Sequence, residues 1–515
     1  MSTPELNHPY RNWAWPLVAT PAVFVAVFAI VPALVLIGRV ELFDVIGDVL
    51  ANPSVRKALW YSLWQAALSA LICLIAALPV TWVLARLDFP GMRFVRSLVT
   101  VPFLLPTVVV GVAFLAVLPD RLDYTPLAVI CAHAYFNLAV VVRIVGARWE
   151  SLSVSLVPAA QTLGASPLRA ASSVTFAILR RSIVTATGLV ALFSFTSFGV
   201  VRMLGGPSRS TIETEIYSRA VLIGDLDGAI VLAILQVLFL IIVGFVIQRG
   251  ESLAPRRSEH INVARTPLAS HPKRNVARGV IALTMLVVVA PWWATLSRSF
   301  GGWGFVNQPA FRDALGVSIR TAIVCAALAG ALGTCAALGS TYGGKGARLV
   351  AGLTGVPLTI SAVVIGFGLL ITFDEGALDF RSRWFLAPLA HALIAMPLAT
   401  IVVSQGVRAI PRDLSASAMT LGVSPRRTWW TIDAPLLAKA VTSATALSAA
   451  VSLGEFGATS FLSRRDSTTL PILIAQELSR PGDLRSANAY VVASLFIATS
   501  LVVIFGVEFA QGRRR

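Results

Sequence analysis

Twelve runs of about 20 apolar residues, none with more than one charged side chain, dominate this sequence. A run of that length, wound as a helix, can cross the roughly 30 Å hydrocarbon core of a bilayer. The runs are 16–38, 58–85, 98–118, 126–145, 183–201, 229–248, 279–297, 314–339, 349–373, 386–406, 440–462 and 486–507. Charged residues make up only 13% of the chain and mean hydropathy is +0.79. Soluble domains carry about 25% charged residues, so these 515 residues could not cover a water-exposed surface. Soluble enzyme, disordered chain and disulfide-stapled scaffold are thereby excluded. The fold predicted is an all-α membrane protein of twelve spans. The first run is too long for a removable signal peptide and reads as a retained anchor.

Cys73, Cys131, Cys325 and Cys335 each lie inside an apolar run. Cys325 and Cys335 share one helix and stand about 15 Å apart along its axis, beyond the reach of a disulfide. All four read as small hydrophobes in helix contacts.

The formal net charge of +17 has a sidedness. With an even number of spans, both termini share one side. If that side is cytoplasmic, the segments there carry the whole excess of +17, and the opposite segments balance to −1. This asymmetry is what the positive-inside rule demands, so both termini are expected in the cytoplasm. The basic face therefore calls for no nucleic acid.

The chain also repeats itself at an offset of about 256 residues. Arg56-Lys57-Ala58-Leu59-Trp60-Tyr61-Ser62 matches Arg312-Asp313-Ala314-Leu315-Gly316-Val317-Ser318, and Ala132-His133-Ala134 matches Ala390-His391-Ala392. Thr162-Leu163-Gly164-Ala165-Ser166-Pro167 matches Thr420-Leu421-Gly422-Val423-Ser424-Pro425. Ser194, Phe198 and Gly199 match Ser452, Phe456 and Gly457. The division predicted is a first half over 1–248, a cytoplasmic linker over 249–278 with Pro255, Pro267 and Pro272, and a second half over 279–515. Six spans per half give two parallel repeats with a pathway between them.

Two segments expected on the cytoplasmic side, about 146–182 and 407–439, are longer than ordinary hairpins and hold equivalent places in the two halves. Each contains the TLGxSP sequence behind small residues: Pro158-Ala159-Ala160 in one, Ala416-Ser417-Ala418 in the other. Small side chains on a short helix admit a close partner surface. Gly164 and Gly422 allow a turn that a Cβ would resist, and Ser166-Pro167 and Ser424-Pro425 can start a second helical turn.

These segments resemble the EAA loops of the permease subunits of bacterial ATP-binding-cassette importers. The second copy follows the family pattern through Ala418, Gly422 and Ile432-Asp433-Ala434-Pro435. The first keeps Ala159, Ala160 and Gly164 but has Val174 and Ala177 where Ile and Pro would stand, and Pro158 and Ala416 replace the glutamates. Over nearly its whole length the chain is similar to the fused, two-domain permeases of thiamine and ferric-iron importers. Phe195-Thr196-Ser197-Phe198-Gly199, Leu204-Gly205-Gly206-Pro207, and His133 through Leu138 with Arg143 look most like the thiamine members.

The resemblance implies a type I importer permease in a bacterial inner membrane, with two copies of an ATPase subunit on the coupling loops and an extracytoplasmic solute-binding protein outside. ATP and magnesium would be used by the partner ATPase, and this chain would bind no cofactor. Thiamine leads as substrate and ferric iron is the alternative. A different class, an ion-coupled secondary transporter, would want more charge inside the spans than Arg143, Arg320 and Glu455.

No catalytic constellation of an enzyme is apparent. Gly339-x-x-x-x-Gly344-Lys345-Gly346 approaches a phosphate-binding loop, but it ends in Gly where Ser or Thr should hold magnesium and follows a transmembrane helix, not a strand. Buried polar groups are costly in a membrane and are functional candidates by default. His133, Asn137 and His391 are candidates beside the pathway, though such histidines more often satisfy a neighbouring helix. No metal site is expected of them. Arg320 and Glu455 lie at similar depths by helical rise and are expected to pair across the second half. Trp13, Trp15, Trp292 and Trp293 near span ends read as interfacial anchors.

Overall fold

A computed structural model describes residues 10, 13–206, 209–252, 265–374, 380, 383–464, 466–480 and 482–512. The repeat appears first as two 34-residue helices, Pro53–Arg86 and Pro309–Tyr342, that begin 256 positions apart. Each starts with proline at its first turn, where the missing N–H has no intrahelical partner to lose. Each runs about 50 Å at 1.5 Å per residue, longer than the hydrocarbon layer.

Ten helices among the described residues are long and apolar enough to cross a membrane, or eleven if the bent pair Met92–Leu104 and Thr107–Val117 is one span. That pair turns through 108° at Leu105-Pro106. The twelfth expected span, 349–373, is not one continuous helix. It divides into Lys345–Leu353, a short 3-10 turn over Val356–Thr359, and Ala362–Thr372. Pro357 cannot donate to a continuing helix, and eleven residues span only about 16 Å. Among the described residues the strands form one two-residue parallel ladder pairing Leu87–Asp88 with Thr266–Pro267. The proposed linker falls partly outside the described residues.

Each compact unit is built on three packed helices. In one they are Pro53–Arg86, Pro126–Glu150 and Ala177–Phe195; in the other, Pro309–Tyr342, Leu386–Ala409 and Ala434–Gly454. Close packing in lipid relies on small residues that let backbones approach. A side-chain carbon at Gly333 would stand 2.7 Å from Ala399 Cβ and 3.0 Å from the Thr400 nitrogen.

The units do not follow the two sequence halves. The Ala14–Arg39 span, from the first half, packs on Pro309–Tyr342 and Lys345–Leu353 and belongs with Asn307–Leu473. The Arg274–Arg298 span, from the second half, packs on Thr107–Val117 and belongs with Asp48–Glu215. Sequence duplication and spatial packing thus divide the chain differently.

The serines of the R-x-A-L-x-x-S repeat have a structural role. Ser62 Oγ accepts a bond from the Ile212 backbone N–H at 2.9 Å, and Ser318 Oγ accepts one from Leu470 at 2.8 Å. Each satisfies a backbone donor in the first turn of a helix, Ile212–Tyr217 or Leu470–Ser479, where no intrahelical acceptor exists.

Candidate functional site

The two TLGxSP segments fold alike. Helix Leu156–Thr162 ends at Leu163, and Gly164 takes φ +87°; helix Arg412–Thr420 ends at Leu421, and Gly422 takes φ +84°. The left-handed glycine closes each helix with a paired C-terminal hydrogen-bond motif. Gly164 N–H donates to Gln161 and Ala165 N–H to Ala160, at 2.9 and 3.0 Å. Gly422 N–H donates to Met419 and Val423 N–H to Ala418, at 3.0 and 3.1 Å. The chain then turns through Ser166 or Ser424 into Pro167–Ala170 or Pro425–Thr428. Ser166 Oγ accepts from the Arg169 N–H at 3.3 Å, whereas Ser424 makes no such cap. Both segments continue into a π-helical turn, Ala171–Phe176 and Trp429–Asp433, before the next long helix.

The predicted loop residues share one environment. Ala159, Gly164, Ser166, Pro167, Ser417, Gly422, Ser424 and Pro425 are exposed, and Ala160 and Ala418 are half-buried. A Cβ added at Gly164 or Gly422 would meet nothing within 4 Å. The glycines are therefore required for the turn itself and not for packing within the chain. Sequence reasoning passed over the residue before each glycine. Leu163 is 89% exposed and Leu421 is 84% exposed. The two leucines stand in solvent at equivalent helix ends, and their repetition within TLGxSP was the available signal.

The second loop is also tied to the start of the described chain. Tyr10 donates its hydroxyl to Asp433 Oδ2 at 2.6 Å, and Ser415 donates to Oδ1 at 2.7 Å. Tyr10 further stacks on Trp13 and meets Tyr342 and Trp429 edge-on. Burial, the hydrogen bond to Asp433 and its charge all push the Tyr10 phenol well above its ordinary value.

The intramembrane polar residues divide differently from expectation. Glu455 does not pair with Arg320 among the described ion pairs. Its carboxylate accepts from the backbone N–H of Ala458 and Thr459 at 2.8 and 2.9 Å and from Thr459 Oγ1 at 2.6 Å. It thereby caps helix Gly457–Leu462, a placement favoured by the free N–H groups at a helix start. His391 completes the cluster, with Nε2 3.3 Å from Glu455 Oε2 and 2.8 Å from Thr459 Oγ1, and Nδ1 2.8 Å from Ser452 Oγ. The exposed Arg320 guanidinium lies over the Trp384 ring, 4.9 Å from its centroid. Helical rise gave the depths of Arg320 and Glu455 but not the directions in which they point.

In the first half, His133 Nδ1 lies 3.1 Å from Gln65 Oε1, and Asn137 donates to the His133 carbonyl at 3.0 Å. His133, Asn137 and His391 are all buried; the His133 and His391 contacts tie helices together, each within its own unit, whereas the Asn137 bond stays inside helix Pro126–Glu150. The described residues contain no cluster of His, Cys, Asp or Glu able to hold a metal. The phosphate-loop lookalike is accounted for by packing: Gly339 lies inside helix Pro309–Tyr342, where a Cβ would stand 3.0 Å from the Ala14 carbonyl oxygen.

A duplicated set of transmembrane helices, each set carrying an exposed, glycine-capped helical turn, defines the permease class of binding-protein-dependent transport systems. Residues 329–514 match the family described as binding-protein-dependent transport system inner membrane component, and the chain belongs to it. The chain is 31% identical over 219 residues to the molybdenum transport system permease protein ModB of Mycobacterium bovis, covering 81% of that protein and 40% of this one. It is also similar to the thiamine transport system permease protein ThiP of Escherichia coli, at 25% identity over 478 residues and 88% of each chain. ThiP of Brucella abortus is 26% identical over 490 residues, again with 88% of each covered. The likeness to ThiP thus runs through both halves, as expected of a fused permease.

Proposed function

We propose that this chain is the permease subunit of a thiamine importer in a bacterial inner membrane. The loops Leu156–Ala170 and Arg412–Thr428 lie on the cytoplasmic side, and each receives one copy of an ABC ATPase subunit. Closure of the ATPases on ATP moves the loops and opens the pathway outward. A loaded solute-binding protein then delivers its cargo between the halves, and hydrolysis restores the inward-facing form. Magnesium and nucleotide belong to the ATPase, and this chain contributes the rigid turns that receive its motion.

The observation that carries the coupling role is the duplicated loop geometry, with one glycine-capped turn and one exposed leucine in each unit. A helix end held by paired backbone hydrogen bonds can transmit a displacement to the long helix that follows it. The substrate assignment is supported by the extent of the likeness to permeases named for thiamine transport. Its test is uptake of labelled thiamine and labelled ferric iron in a strain lacking the gene, with and without its restoration. Selective loss of thiamine uptake is expected. Selective loss of iron uptake would keep the importer and replace its substrate.

A further inference from the structure

A cavity of about 460 Å³ opens in one unit among helices Pro53–Arg86, Met92–Leu104, Pro126–Glu150 and the end of the last long helix. Its apolar wall includes Leu104, Val142, Val503 and Ile504. Its polar wall includes Arg96, Ser97, Arg143 and Glu150. Arg143 lies seven residues, about 10 Å along the helix, inward of Glu150, and no ion pair to it occurs among the described residues. Ser97 is only 4% exposed, and its hydroxyl, within this lining, has no hydrogen-bond partner. Glu150 is already engaged: Oε1 receives Arg96 at 2.6 Å and Arg265 at 3.2 Å. Arg96 and Arg143 against Glu150 leave the cavity lining net positive, with Arg265 outside it sharing the Glu150 carboxylate.

The duplication supplies an internal comparison. At the 255-residue offset of Val101-Pro102 and Val356-Pro357 and the 258-residue offset of His133 and His391, Arg96, Ser97 and Arg143 correspond to Ala351, Gly352 and Ile401 in the second half. The permease framework therefore does not require these polar residues, because the other copy is built without them. Arg143 is exposed in this wall near the inner end of its span, free to reach a ligand, and a buried hydroxyl without a partner is costly. One anion held by both would satisfy the hydroxyl. The cavity has the size of a small-ligand site, and its apolar wall continues where an acyl chain would run.

We propose that this cavity binds a phosphate-bearing anion, with Arg143 and the Ser97 hydroxyl as donors, and that its source is the headgroup of an anionic phospholipid in the leaflet beside the coupling loops. Basic pockets between transmembrane helices are suited to such headgroups. The cytoplasmic identity of that leaflet rests on the reading above, but binding itself does not.

The test uses the purified, delipidated full chain in neutral detergent and measures its melting temperature. Phosphatidylglycerol, phosphatidylcholine and inorganic phosphate are added separately. Phosphatidylglycerol is expected to raise the melting temperature of the wild type, and the other two are not. In Arg143→Ile and Ser97→Gly, which install the second half's residues, the affinity should fall about tenfold or more, the scale of one lost charge-assisted bond. Arg143→Lys should keep part of it. A shift with inorganic phosphate that Arg143→Ile abolishes would uphold the site and replace the lipid with a soluble anion. An equal phosphatidylglycerol shift in wild type and both substituted chains would overturn the proposal. Since neither ATPase nor uptake enters the readout, failure of the transport reading would register separately.

Discussion

Leu163 and Leu421 offer the sharpest test of the coupling loops, because folding of this chain gains almost nothing from either. Both side chains are more than four-fifths exposed, so Leu→Ala at either site should leave the melting temperature within the scatter of surface substitutions, about 0.5 kcal/mol. If each leucine enters a groove of an ATPase subunit, the substitution removes three buried carbons there. At about 0.8 kcal/mol per carbon, slightly reduced for incomplete burial, the loss is about 2 kcal/mol. That corresponds to about a 30-fold weaker Kd. Because each loop would serve its own ATPase copy, a single substitution should convert a uniform titration into one tight and one weak site. Leu163→Ala with Leu421→Ala should restore a uniform, weak one. The assay is titration of the cognate ATPase subunit onto the permease in lipid nanodiscs. Unchanged affinity in the doubly substituted chain, with its melting temperature intact, would refute the reasoning.

Four further outcomes follow from the geometry. Gly422→Asn should be tolerated better than Gly422→Val, since asparagine enters the left-handed region at lower cost and nothing within the chain opposes a side chain; thermal stability and uptake of the two variants check this. Glu455→Gln should destabilise the second unit by about 2–3 kcal/mol, because a carboxylate accepting from Ala458 and Thr459 is replaced by an amide with one accepting oxygen, as thermal denaturation in detergent would reveal. Arg320→Ala should cost no more than about 1 kcal/mol, the scale of an exposed cation–π contact, and the same denaturation assay would detect a larger loss. From neutral pH up to about 10, the ordinary phenol range, the bond from Tyr10 to Asp433 should be insensitive to pH. Its pKa is raised in the fold, so the stability it supplies is complete below the unfolded value and declines as pH rises above it. The difference in melting temperature between wild type and Tyr10→Phe against pH measures that window.

The helices were legible because a bilayer imposes length and hydropathy together, and Gly164 and Gly422 because left-handed backbone selects glycine. The break in 349–373 was not. Its apolar character is continuous across Pro357, and hydropathy alone carries no record of where a helix bends. The Arg320–Glu455 pair failed for a related reason: depth follows from rise, but partners follow from rotation. Ser62 and Ser318 were visible as a repeated motif, yet the amides they serve lie 150 and 152 residues away, a separation no local pattern encodes. Leu163 and Leu421 escaped notice because an isolated leucine reads as core until its exposure is known.

The exchange of first spans has a consequence for synthesis. The Ala14–Arg39 helix cannot meet Pro309–Tyr342 until some 270 further residues have left the ribosome. At about 5–20 residues per second, it waits for roughly 15–60 s in the bilayer without its partner. The Arg274–Arg298 helix, by contrast, finds Thr107–Val117 already inserted, although its other neighbour, Asp483–Gly512, comes later. A ribosome stalled near residue 270 would leave Ala14–Arg39 in the membrane without its partner, and the places of Arg274–Arg298 and Asp483–Gly512 unfilled, a state that membrane quality-control proteases could distinguish from the finished permease.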